Sequence, residues 1–480
     1  MKRIIAIIIC FIGFVSFSQE NDSIPIYKKR VLESTEVDYL MSYYKQDGTH
    51  SSVGGGIGTE NLTDYTPTVV VSVPLSDDDV LTVDVGISAY TSASSSNLNP
   101  FDASGASQGY EEENDDKRKR ASMPLGSPWI ASSGASKSDV WSNITMNYSR
   151  SSDDRNNIWN AHASFSIEYD YFSIGFGGGF TKQFNNKNTT LGISGNVYLD
   201  TWKPLYPTEL EEFAVYGANF QNQGYFQGVD VWNQNGTVSN AYNPQGFTEF
   251  ENQGRNSYAI SLSFSQIVNK SFQISLFGDL LFQQGLLSTP YHRVYFADQP
   301  NFYIGGNANA IANYTSSSNT EVFHLADDNE QLPDTRWKIP IGVRANYYIN
   351  EILSLRSYYR FYTDNWGVMA HTASLELPIK FVGGKFTLLP TYRFYSQQQA
   401  NYFAPYETHL STSEFYTSDY DLSTFDSHQY GVGLRYTDIF TKFKVFKFGL
   451  KNMELRYNRY DRSDGLQANI FSTGFKFVLD

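Results

Sequence analysis

The stretch from Asn256 to Gln283 constrains the fold of this chain more than any other. Tyr258, Ile260, Leu262 and Phe264 alternate with Ser257, Ala259, Ser261, Ser263 and Ser265. A turn at Val268-Asn269-Lys270 follows. Phe272, Ile274, Leu276, Gly278, Leu280 and Phe282 then alternate with Gln273, Ser275, Asp279 and Gln283, while Phe277 and Leu281 are apolar exceptions on the polar side. A period of two over both arms describes an antiparallel pair of strands whose two faces meet unlike surroundings. The question is which surroundings those are.

The N-terminus bears on that question. Lys2 and Arg3 precede an apolar run from Ile4 to Phe17, and Ser16 and Ser18 flank a cleavage position before Gln19. This is the order of a secretory signal peptide over residues 1–18. Cys10 lies inside the run behind Ile7, Ile8 and Ile9, without the small neighbour a lipoprotein signal requires, so no lipid anchor is expected. The mature chain then has no cysteine, which excludes disulfides, thiolate metal sites and C-x-x-C-H haem attachment. Its formal charge moves from -14 to about -16 with the loss of Lys2 and Arg3, which argues against nucleic-acid binding. No later segment reaches the roughly 18 apolar residues of a spanning helix. Yet the chain carries 35 Tyr, 35 Phe and 36 Gly at a mean hydropathy of -0.39. Those properties fit a transmembrane β-barrel, in which only alternate residues face lipid.

Alternation marks strands at Glu36 to Lys45, Ser51 to Val73 (read as one long bulged strand across Gly54, Gly55, Gly56 and Gly58), Leu81 to Ser88, Asp139 to Ser149, Asn157 to Ile167, Tyr171 to Phe184 and Asn188 to Leu199. After the central hairpin it continues at Arg336 to Tyr348, Leu353 to Tyr362, Val368 to Leu377, Lys385 to Tyr395, Gln429 to Thr437, Phe446 to Tyr457 and Gln467 to Leu479. The connections alternate in length. Tyr90 to Ser138, Asp200 to Arg255, Gln284 to Thr335 and Ser396 to His428 are long and share one parity; turns such as Asn185 to Lys187 and Asn350-Glu351 fall on the other. The expectation is an all-β, antiparallel transmembrane barrel of about 16 strands, within 14 to 18, with long extracellular loops and short periplasmic turns. Residues 19–35 form a periplasmic segment and residues 36–480 the barrel, in the outer membrane of a Gram-negative cell. The last strand, with Phe471, Phe475, Phe477 and Leu479 on one face, resembles the C-terminal signal read by the barrel assembly machinery, although it ends in Asp480.

If the apolar parity faces lipid, Asp84, Asp279, Arg344, Arg356, Arg360, Arg393 and Arg435 line the lumen, with Asp38 and Arg456 beside them. Such charges brace a barrel wall by default, and they also set ion preference. The 7 His are scattered and none forms an H-x-x-x-H pair, so no metal site is expected. Asp327-Asp328-Asn329-Glu330 lacks the interleaved glycine of a calcium loop and reads as a solvated acidic patch, as Glu111 to Arg120 reads as a self-neutralising loop. Ser288 near His292, or Ser374 near His371, has no nucleophile motif around it, so no catalytic residue is assigned. Asp102-Ala103-Ser104-Gly105-Ala106-Ser107 and Ser133-Gly134-Ala135-Ser136 look like the acceptor at which a flavin transferase attaches FMN, which would place it on Ser107 or Ser136. The acidic residue is displaced in the first and missing in the second. Small-residue repeats in a loop are the simpler reading, and no cofactor is expected.

Several collinear stretches carry a resemblance. They are Tyr43-Tyr44-Lys45-Gln46-Asp47-Gly48 with Gly55 and Gly58-Thr59-Glu60, Thr91 to Ser94, Glu168 to Tyr171, Leu287 to Phe296 (LSTPYHRVYF), Tyr359 to Tyr362 with Trp366-Gly367, and Thr417 to Leu422 (TSDYDL). Together they resemble an uncharacterised bacterial outer-membrane family catalogued as domain of unknown function thirty-five seventy. The resemblance implies an envelope barrel encoded beside a small lipoprotein and a flavin transferase, and it transfers no catalytic residue. The expected function is therefore a pore or a docking platform for envelope partners, with a flavin-linked redox component as alternative and a barrel hydrolase third. Pro290, Tyr291, His292 and Arg293, in the longest matching stretch, mark where function is to be sought.

Overall fold

A computed structural model describes residues 30–91, 138–168, 170–244, 247–250, 254–313, 321–438 and 440–479. Its main sheet has 18 strands, of which Ile379–Phe381 and Lys444–Val445 are short pieces at turns. The remaining 16 form the wall of a closed antiparallel barrel. In chain order these are β1 (Glu36–Asp47), β2 (Leu62–Pro74), β3 (Asp79–Thr91), β4 (Ser138–Ser151), β5 (Asn157–Ile167), β6 (Tyr171–Phe184), β7 (Thr189–Trp202) and β8 (Gly254–Asn269). The second half consists of β9 (Phe272–Gly285), β10 (Thr335–Tyr348), β11 (Ser354–Asp364), β12 (Met369–Glu376), β13 (Phe386–Gln398), β14 (Phe425–Thr437), β15 (Phe448–Arg462) and β16 (Gln467–Leu479). Each strand pairs with its chain neighbours, and β1 closes on β16 from Glu36↔Val478 to Asp47↔Gln467. Closure satisfies every wall strand on both edges, as a span through hydrocarbon demands.

The central hairpin is β8 and β9, in register at Ser261↔Asp279, Leu262↔Gly278 and Phe264↔Leu276. Its apolar parity points away from the barrel, where Ile260 and Leu262 are exposed, and Ile341 on β10 continues the band. Apolar residues are here the outer surface, the arrangement of a barrel built to face an apolar medium. Both described ends of the chain lie with the short turns: Val31 N–H donates to Asp77 O in the β2–β3 turn at 2.9 Å.

The glycine-rich segment departs from the expected long strand. After β1 the chain makes a 3-10 turn at Ser52–Gly54, and β2 begins only at Leu62. Gly55 and Gly56 have φ of 73° and 95°, and a Cβ at Gly55 would lie 2.6 Å from the Tyr295 ring. A strand there would carry side chains where other loops pack, so the glycines instead let the backbone thread between them. The strand count is unchanged, since this segment joins β1 to β2 on the side of the long loops.

Those loops fold into a cap. The β7–β8 connection contributes helix α1 (Thr208–Tyr216) and the strand Val231–Asn233. That strand pairs with Phe302–Gly305 of the β9–β10 connection, which pairs in turn with Val322–His324. Phe220, Phe226, Val231, Tyr242, Phe302, Ile304, Phe323 and Leu325 form its aromatic core. The β13–β14 connection joins through the bridges Phe296↔His409 and Gln331↔Tyr416. The cap is tied to the inner wall at several points. Gln397 Nε2 of β13 donates to Asp421 O and Ser423 O, Arg462 of β15 pairs with Asp421, and Gln46 Nε2 of β1 donates to Glu60 O.

Candidate functional site in the cap and lumen

The loop motif forms the centre of the cap. Arg293 is 1% exposed and forms a bidentate pair with Glu209 of α1, with Nε–Oε1 2.7 Å and Nη2–Oε2 3.2 Å. Its Nη1 donates to Val53 O at 3.1 Å, and its guanidinium lies 5.0 Å from the Phe323 ring centroid. One side chain thus joins three connections. A buried arginine is tolerable only when its donors are met in this way. Pro290 O accepts from Asn329 Nδ2 at 3.1 Å, and Tyr291 packs edge-on against Trp202 of β7.

His292 lies between two loops. Its Nε2 is 3.0 Å from Ser52 Oγ and its Nδ1 is 3.3 Å from Glu330 Oε2. Glu330 is oriented by Thr289 N–H on Oε1 at 2.6 Å and by the Thr417 hydroxyl on Oε2. Asp419 completes the group: His292, Glu330 and Asp419 each bring a ligand atom within 4.8 Å of the others. Burial works against a charged imidazole, but Glu330, Asp419 and Asp421 around it hold His292 above its usual range. Burial and then Asp421 push the Asp419 carboxyl up.

The acidic run differs from its sequence reading as a solvated patch. Asp327, Asp328, Asn329 and Glu330 are all buried. Asp327 Oδ2 accepts from Phe296 N–H at 2.8 Å, Asp328 from the Tyr416 hydroxyl, and Asn329 Oδ1 from Gln331 Nε2 at 3.0 Å. Burial pushes both Asp327 and Asp328 up to about 7. A run of acids looks solvated in sequence because the hydroxyls and amides that accept its burial come from other loops. His324 is stacked between Tyr295 and Tyr303, and burial lowers it to about 3.

The serine–histidine pairs considered from sequence do not form. Ser288 Oγ accepts from Leu332 N–H at 2.8 Å as part of the cap frame. On β12, Thr372 is buried whereas His371 is exposed and 2.8 Å from the Tyr359 hydroxyl, and Ser374 shares the parity of Thr372 rather than that of His371. Ser107, Ser136 and the loop Glu111 to Arg120 lie outside the described residues.

Below the cap, the register places Asp84, Asp279, Arg344, Arg356, Arg360, Arg393 and Arg435 on the parity opposite the apolar band. Arg356 and Arg456 both pair with Glu376, and Arg435 and Arg456 with Glu454. Arg344 lies 5.0 Å from the Phe277 ring centroid, which accounts for one apolar exception of the central hairpin. A recess of about 400 Å³ is lined here by Arg344, Arg356, Arg393, Arg456, Glu376 and Gln429. Among the described residues, Arg344, Arg360 and Arg393 form no ion pair with a carboxylate.

Sequence reasoning missed Ser52, Glu209 and Asp419 as partners of the loop motif, because up to 240 positions separate the atoms that meet. The available signal was the resemblance itself, since the segments around Gly55, LSTPYHRVYF and TSDYDL converge in the cap.

No curated protein matches the chain. Among solved structures, the chain is similar to a bacterial polysaccharide outer membrane secretin at 9% identity, over 93% of this chain and 99% of that one, with a TM-score of 0.42. It is also similar to OccK9 (OpdG) of Pseudomonas aeruginosa at 8% identity, over 93% and 98%, with a TM-score of 0.35. A BenF-like porin from Pseudomonas fluorescens Pf-5 is similar at 9% identity, over 93% and 98%, with a TM-score of 0.34. Likenesses this distant carry no argument about the present chain. The family model described as "Protein of unknown function (DUF3570)" matches residues 8–470, and the chain belongs to that family.

Proposed function

We propose that this barrel lies in the outer membrane and admits small anionic solutes to its lumen, with the folded cap governing entry at the outer mouth. The observation that carries the reading is the group Arg344, Arg360 and Arg393, inward-facing and without carboxylate partners among the described residues. Arginines that only braced the wall would be neutralised as Arg356 and Arg435 are. Unneutralised cations in a water-filled lumen attract anions and repel cations.

Reversal potentials in planar bilayers under a salt gradient test this. Anion preference is expected for the native protein, with a shift toward cations in the triple variant Arg344→Glu/Arg360→Glu/Arg393→Glu. Bilayers that stay closed at every voltage would overturn the pore. They would favour the second reading, a docking platform, which the cap's own buried core supports.

A further inference from the structure

We propose that the cap holds one divalent transition-metal ion, of the zinc class, between His292 and Glu330 of the β9–β10 connection and Asp419 of the β13–β14 connection. The three ligand atoms lie within 4.8 Å of one another. Zinc bonds of about 2.0–2.2 Å at a tetrahedral angle hold donor atoms roughly 3.3–3.6 Å apart, which His292 Nδ1 and Glu330 Oε2 already meet at 3.3 Å and which a side-chain rotation of Asp419 would complete. Each ligand is already aimed by a second group. Ser52 Oγ engages His292 Nε2 at 3.0 Å and leaves Nδ1 toward the carboxylates. Thr289 N–H and the Thr417 hydroxyl hold Glu330, and Asp421 N–H donates to Asp419 Oδ1 at 3.0 Å. Outer partners of this kind fix ligand orientation in metal sites.

Charge is the independent observation. Glu330 and Asp419 are two carboxylates beside one imidazole, and neither forms an ion pair with lysine or arginine among the described residues. The nearby arginines are committed elsewhere, Arg293 to Glu209 and Arg462 to Asp421 and Asp464. A divalent cation neutralises this pair of acids. One imidazole with two carboxylates, and no thiolate, suits zinc, manganese or iron(II) better than copper(I) or calcium. Three protein donors leave a fourth position for water or a solute donor. The ion would join two loops that both pack on residues 50–56, His292 on Ser52 and Tyr420 on His50, fixing the cap from within.

The same atoms also line up as Ser52, His292 and Glu330, in the order of an acyl-transfer triad. An oxyanion hole needs N–H groups free to point at substrate. Here Gly54 and Gly56 N–H donate to Ser51 O and Gly55 N–H to Ser52 O. Those three glycine amides are therefore not available to an oxyanion.

The test uses the full mature protein in detergent, stripped with a chelator and titrated with Zn²⁺. One tightly bound equivalent is expected, with increased hydrogen-exchange protection of residues 286–334. Asp419→Asn keeps an acceptor for the Asp421 N–H while removing a ligand charge, and should weaken binding at least 10-fold to 100-fold, the range seen even for outer partners. His292→Ala should do the same. The heat-induced mobility shift on gels shows that the barrel remains folded in each variant. Zinc binding undiminished in both variants, or no tight equivalent in the native protein, would overturn the proposal. So would covalent labelling of Ser52 by a fluorophosphonate, which would assign these groups to a hydrolase.

Discussion

On the wall, Leu262 and Ile341 are 57% and 56% exposed, whereas in the cap Phe226 and Ile304 are 0% exposed. The wall places its large apolar side chains outward and its charges inward; the cap does the reverse. A wall strand with apolar residues outward and charges inward suits an apolar medium outside and a polar lumen within, whereas the cap encloses a core of its own. The difference extends to charge. Arg344 and Arg393 in the lumen are exposed, whereas Arg293 of the cap is buried and paired with Glu209.

The largest expected effect removes that pairing. Arg293→Met leaves Glu209 buried without its partner and should destabilise the cap by about 3–5 kcal/mol, while the wall keeps its fold. Hydrogen exchange of residues 286–334 should rise with no loss of the gel mobility shift. Adding Glu209→Leu should restore most of the protection, since the stranded charge is then gone.

The wall breaks by the opposite substitution. Leu262→Arg should cost about 2–4 kcal/mol near the bilayer midplane, whereas Ser261→Arg, opposite Asp279 in the register, should be tolerated. Folding yields in lipid vesicles measure both. Equal tolerance at these two neighbouring positions would contradict the inside-out wall.

A smaller effect is expected where the cap packs on the glycine turn. Gly55→Ala puts a side chain at φ 73° against Tyr295, at a cost of about 1–3 kcal/mol that local unfolding of the cap would report. The same substitution at Gly278, with φ in the ordinary range and no atom closer than 3.6 Å, should be mild.

Between pH 5 and pH 8 an effect of similar size, about 1–3 kcal/mol, is expected from titration within the cap. Asp327 is pushed up to about 7 in the folded state, above its ordinary value of 3.8. The folded cap therefore binds more protons than the unfolded one between those values. Stability from this group is complete below about 4 and is lost as pH rises through about 7. Exchange of the cap amides, corrected for intrinsic rates, should be slower at pH 5 than at pH 8, and Asp327→Asn should reduce the difference, leaving the part that Asp328 supplies.

Much of the wall was legible because its signal is local. Alternation in Tyr258 to Phe264 and Phe272 to Phe282 fixes strand, face and partner together, and the loop lengths fix which ends are alike. Ser51 to Val73 was misread because a glycine run inside a strand pattern and a glycine turn that admits foreign side chains look the same until Tyr295 and Ser418 are in place. The acids at Asp327 to Glu330 likewise carry no mark of burial, since Phe296, Tyr416 and Thr417 supply their hydrogen bonds from elsewhere in the chain.

The sequence by itself determined the antiparallel barrel, its strand count to within two, and which parity of the clearly alternating strands is apolar, because a period of two is written into neighbouring residues. Only the tertiary structure decided that the loops form a cap, that His292, Glu330 and Asp419 meet there beside Ser52, and which lumenal arginines are neutralised. Those outcomes depend on contacts between residues tens to hundreds of positions apart, made by irregular segments whose backbone follows no repeating pattern.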